Sequence, residues 1–216
     1  MLPVADGSDF GGSLRNPSGW NNVVGFRPTP GMVPAGPNLE IYLSQLPTDG
    51  PMARNIPDLA MLMSVMAGPH DSQPLSINIK ADAFTGTLDR DLKGVRIGWL
   101  GGYLRQLPLD DGVYDTCLAS IRTLEQAGCS VDDIDLPVSR EHIWQTWLLW
   151  RHWLISWKMA ELYDNPAMRA QLKPEVIWEI EGGLTLSARD VYRGAKMRTQ
   201  LHQSLSKLFQ DYDFIV

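Results

Sequence analysis

Asp9-Phe10-Gly11-Gly12-Ser13-Leu14-Arg15 places a carboxylate, paired glycines, a hydroxyl and a guanidinium side by side. A serine that attacks a carbonyl needs main-chain N–H groups nearby to hold the oxyanion that forms. Successive glycines let a substrate carbonyl approach those amides with no side chain in the way. Gly11-Gly12 before Ser13 supplies that geometry in principle, although a Gly-Gly-Ser run also serves as an ordinary turn. The chemistry to expect, if any, is nucleophilic attack with an acyl-enzyme intermediate.

The elements that must position this run are of two kinds. Residues 1–52 hold 16 of the 34 Gly and Pro residues, so this quarter is expected to be loops and short strands. Residues 53–216 read as α/β and helical. Positions 58–67 form a helix ended by Gly68-Pro69, and 70–92 read as a surface connection. Positions 95–100 read as a buried strand. Val113, Cys117, Ile121 and Leu124 recur at helical spacing up to Gly128, and 130–136 alternate as a second strand. Strand, helix, strand in that order predicts parallel pairing. Further helices are expected over 141–163, 174–181 and 188–209, the last with Val191, Ala195, Leu201, Leu205 and Leu208 on its apolar face. Phe214-Ile215-Val216 begins another strand, and both termini read as cutting through structure.

Composition narrows the classes. The chain has 216 residues, 44% hydrophobic and 20% charged, a globular balance with material for a core. A formal charge of -6 argues against nucleic acid as a general partner. The N-terminus lacks a signal-peptide pattern, and 144–157, the most apolar stretch, is too short and too polar to cross a bilayer. Cys117 and Cys129 are too few for a disulfide framework or zinc cage, so buried free thiols and a cytoplasmic location are expected.

The wider sequence resembles the amidase signature family. Gly7-Ser8-Asp9-Phe10-Gly11-Gly12-Ser13-Leu14-Arg15-Asn16-Pro17 carries the resemblance, with Gly25-Phe26-Arg27-Pro28-Thr29, Gly31-Met32-Val33-Pro34 and Gly50-Pro51-Met52-Ala53-Arg54. It extends through Leu92-Lys93-Gly94-Val95-Arg96-Ile97-Gly98, the 128–137 strand, Glu181-Gly182-Gly183 and Asp211-Tyr212-Asp213. The resemblance implies an α/β fold, a mixed sheet flanked by helices, here incomplete. It implies hydrolysis of a small-molecule carboxylic amide with no cofactor or metal. Ser13 is then the acyl-accepting nucleophile, the backbone at Phe10, Gly11 and Gly12 the oxyanion hole, and Asp9 with Arg15 an ion pair supporting the turn. An ordinary turn salt bridge remains open for that pair.

The family's base is a lysine relayed through a cis-peptide serine, both upstream of the nucleophile. The twelve residues before Ser13 contain neither, and Ser8 belongs to the nucleophile motif itself. This motivates the alternative of a catalytically inactive remnant that binds a partner, and weak or no activity is expected of the isolated chain. The branch that generates ammonia for misacylated tRNA is disfavoured by Trp20-Asn21-Asn22. His70, His142, His152 and His202 sit in no triad setting, and Lys80, Lys93 and Lys158 read as solvated. Trp144, Trp147, Trp150, Trp153 and Trp157 read as a packing face, an acyl-pocket wall or a partner surface, and Met61, Met63 and Met66 as core filling. No membrane partner is expected, and a homo-oligomer is left open.

Overall fold

The computed structural model describes residues 2–36 and 40–216 and divides the chain into two compact units, Met1–Arg90 and Asp91–Val216. The composition break near residue 52 falls inside a strand of the first unit.

The first unit contains β1 (Val4–Asp9), α1 (Arg15–Trp20), β2 (Val24–Gly25), β3 (Thr48–Ala53) and α2 (Ile56–Met66), then a 3-10 turn at Ala81–Phe84. Its sheet is antiparallel in the order β1-β3-β2. Asp9 lies opposite Thr48 and Val4 opposite Ala53. Proline is normally excluded from a central strand because it cannot donate to the ladder. Pro51 is tolerated in β3 because β2 pairs only with Ala53 and Met52, and the Phe26 N–H reaches the Pro51 carbonyl at 3.0 Å just beyond it. α1 forms despite Pro17 and Gly19, since the proline falls in the first turn, where N–H groups lack intrahelical acceptors. α2 begins where the Asn55 side chain accepts the Asp58 N–H at 2.9 Å. Leu14 and Met63 are fully buried. Met63 thus fills the core as expected, whereas Met61 faces solvent and Met66 is half-buried.

The second unit contains β4 (Arg96–Trp99), α3 (Gly101–Leu104), α4 (Val113–Gln126), β5 (Ser130–Asp133) and α5 (Arg140–Lys158). Then come α6 (Ala160–Asp164), α7 (Pro166–Arg169), α8 (Pro174–Leu184), α9 (Ala188–Asp211) and β6 (Phe214–Ile215). The expected strand–helix–strand is β4-α4-β5. Its strands pair in parallel with Ile97 opposite Val131, and β6 joins the other side of β4. Val95, Ile97 and Cys129 form the buried centre, with Leu92, Leu124 and Val131 against it. Cys129 is the buried free thiol expected, while Cys117 is only half-buried. Ser187 and Asp190 close a capping box at the start of α9.

The helix expected over 141–163 is two helices. α5 stops at Lys158 because Met159 leaves helical geometry (φ -106°, ψ 9°). The tryptophans do not share one face either. A three-residue step falls about 60° short of a full turn at about 100° per residue. Trp144 therefore stays half exposed, while Trp150 is buried. The burial of α5 instead runs through Thr146, Trp150, Leu154, Ile155 and Ser156. α8 comes close to it because Gly182 and Gly183 have no side chains: a Cβ on Gly182 would strike the His152 ring, and one on Gly183 the His152 carbonyl oxygen. The fold class is α/β, with helices and small sheets, and no helix among the described residues is long and apolar enough to cross a membrane.

Candidate active site

β1 ends at Asp9 and delivers its carboxylate, fully buried, to the turn that follows. Oδ1 accepts the Gly12 N–H at 2.8 Å and Arg15 Nη2 at 3.1 Å, and Oδ2 accepts Arg15 Nε at 2.8 Å. The Arg15 main-chain N–H adds a longer bond to Oδ2 at 3.4 Å. A buried carboxylate is costly unless its lone pairs are filled by donors, and here they are. The Arg15 hydrogen bonds, opposed by burial and reinforced by the Gly12 N–H, hold the Asp9 carboxyl well below the usual carboxylate range. The same contact pushes the Arg15 guanidinium up from its ordinary value.

Gly12 takes φ +109°, a region side chains avoid, and a Cβ there would lie 2.7 Å from Asn16 Nδ2. Its carbonyl accepts the Asn16 N–H at 2.8 Å, which leads into α1. Leu14 anchors the far side of the turn in the core, and the buried Ser18 hydroxyl donates to the Leu14 carbonyl at 2.8 Å. Between the buried Gly12 and Leu14, Ser13 is exposed.

The predicted residues are thus gathered in one turn, with one difference in detail. The Gly12 N–H already serves Asp9. Among the described residues the Gly11 and Ser13 N–H groups have no acceptor. Phe10 is half-buried at the start of the turn.

Sequence reasoning missed Arg27. Its Nε lies 3.6 Å from Asp9 Oδ1, and its Nη2 donates to the Leu46 carbonyl at 2.7 Å. No local pattern links residues 9, 27 and 46, so only the sheet that joins their strands could reveal them. A cavity of about 250 Å³ in the same unit is lined by Pro30, Val33, Glu40, Ser44 and Thr48 among others, but not by Ser13.

The other titratable candidates stay outside this turn. His70 and His202 are exposed, and His142 Nε2 contacts the Met197 carbonyl at 3.1 Å. Burial holds His152 below its ordinary value, against the pull of Glu179 and with a push from Arg151, and its ring meets Trp178 edge-on at 4.5 Å. Lys80, Lys93 and Lys158 are exposed.

Comparison with known proteins agrees over the whole chain. The Amidase family model matches residues 1–216. A glutamyl-tRNA(Gln) amidotransferase subunit of Macrococcus caseolyticus is 30% identical over 240 residues, covering 100% of this chain and 49% of that protein. A solved bacterial aryl acylamidase of the amidase signature enzymes superposes with a TM-score of 0.85 at 24% identity, over 98% of this chain and 44% of the other. The corresponding glutamyl-tRNA(Gln) amidotransferase subunit of Thermotoga maritima gives a TM-score of 0.68 at 23% identity, over 100% and 46%. The chain spans about half the length of the relatives that match it from end to end.

Proposed function

The chain belongs to the amidase signature family, and on that premise we propose that Ser13 is the acyl-accepting nucleophile in hydrolysis of a small-molecule carboxylic amide. The observation that carries this reading is an exposed hydroxyl flanked by two main-chain N–H groups that no described residue claims, in a turn fixed by a buried carboxylate. Ser13 Oγ attacks the carbonyl carbon, and the Gly11 and Ser13 N–H groups stabilise the oxygen that becomes negative. The C–N bond breaks, the amine leaves with a proton, and water releases the acid. A base must take the Ser13 proton and hand it to the departing amine; the family resemblance implies a lysine, relayed through a second serine, for that role. Residues 1–12 contain no lysine to do this.

Amide turnover followed by release of amine or ammonia tests the reading. In any active form of the protein, Ser13→Ala should lower it by roughly four orders of magnitude or more, as removal of a covalent nucleophile does elsewhere. Undiminished turnover in that variant would refute the assignment. The identity to the amidotransferase relative favours a second reading, in which the ammonia released is passed on rather than lost to solvent. Release of ammonia from glutamine, absent with simple aryl amides, separates that branch.

A further inference from the structure

We infer that Arg27 is a positioning residue that clamps the Asp9 carboxylate and so keeps the Gly12 peptide, and with it Ser13, in register. The inference rests on the reading of Ser13 as nucleophile.

Arg27 follows β2 and precedes the fully buried Pro28, so its main chain is firmly seated. Its guanidinium lies between the end of β1 and the residues just ahead of β3. Nη2 takes the Leu46 carbonyl at 2.7 Å, just ahead of β3, and Nε points to Asp9 Oδ1 at 3.6 Å, at the end of β1. Nε is buried and has no hydrogen-bond acceptor among the described residues. Asp9 Oδ1 is also the oxygen that holds the Gly12 N–H. One planar fork therefore joins the β2–β3 connection to the atom that fixes the nucleophile turn, and a lysine, with a single point charge, cannot span both contacts.

Arg15 is closer to Asp9, yet its side chain is 57% exposed against 29% for Arg27. Solvent and salt screen the exposed cation more strongly. With Arg27 gone, Asp9 keeps the Gly12 and Arg15 main-chain N–H groups and a cation on a solvated arm, which restrain its carboxylate less firmly. One carboxylate against two guanidinium groups also leaves a net positive charge beside the turn, the sign that favours an oxyanion.

The test compares Arg27→Met and Arg27→Lys with the unsubstituted chain by amide hydrogen exchange. The Gly12 amide is the probe and the Ala67 amide, bonded to the Met63 carbonyl at 2.9 Å in the same unit, is the reference. The expected result is exchange at Gly12 at least roughly ten-fold faster in Arg27→Met and a few-fold faster in Arg27→Lys, with Ala67 unchanged. The maximal rate of Ser13 modification by a fluorophosphonate should fall in the same order, with little change in the concentration giving half that rate. If Ala67 also accelerates in Arg27→Met, the unit is opening as a whole and Arg27→Lys decides by the same criterion. Gly12 exchange that matches the unsubstituted chain in the deciding variant overturns the inference. A Ser13 that is inert in the unsubstituted chain counts against the nucleophile reading alone, because the Gly12 comparison still stands.

Discussion

The Ser13 turn and the α5–α8 seam are both tightly held, but by opposite means. In the turn a single buried carboxylate gathers N–H and guanidinium donors, and the specificity lies in charge and direction. In the seam two adjacent glycines let α8 lie against the His152 ring and carbonyl and the Ser156 side chain, and the specificity lies in shape. A polar clamp can leave one hydroxyl exposed above a rigid base, whereas close packing gives stiffness and no reactive group. The first suits chemistry and the second suits support.

Substitutions should separate the two. The largest effect is expected for Gly183→Val, because the new side chain meets the His152 main-chain oxygen, which cannot swing aside. A loss of about 3 kcal/mol in urea unfolding, followed by tryptophan fluorescence, is the expected outcome, with Gly12 exchange unaffected. Next is Asp9→Asn, which keeps the shape and removes the charge. It should cost about 2 kcal/mol, below the figure for a fully buried pair because Arg15 is half exposed. A cost equal to that of losing Arg15 alone would erase the distinction.

Acid should act on the two regions in different windows. His152 is held below its ordinary value of 6.5, so the unfolded chain takes up that proton first and the seam loses stability as pH falls through 6.5. Asp9 is held below its ordinary 3.8, so its contribution is complete above that value and is lost only as pH falls further. Unfolding curves at stepped pH should show Asp9→Asn flattening the lower window alone. The smallest effect is expected for Arg15→Ala, under about 1 kcal/mol by thermal unfolding, because an exposed cation contributes little.

Much of this was legible in the sequence, for reasons that can be named. The parallel β4-α4-β5 unit follows from apolar spacing and from Gly128, and the Asp9–Arg15 ion pair joins close neighbours in the chain. Arg27 was not legible, because its partners lie 18 and 19 positions away and meet only through strand pairing. Gly182 and Gly183 read as a landmark, while their task is set by a helix some thirty positions upstream. The tryptophan spacing misled because a step of three drifts around a helix of 3.6 residues per turn. The break at Met159 carries no glycine or proline to announce it.

Mass spectrometry of the chain after exposure to a fluorophosphonate asks most directly whether the turn activates its serine. The adduct should sit on Ser13, form faster than at the neighbouring Ser8, and vanish in Ser13→Ala. An unmodified Ser13, or labelling that persists elsewhere at the same rate in Ser13→Ala, would contradict the assignment of this hydroxyl as the nucleophile.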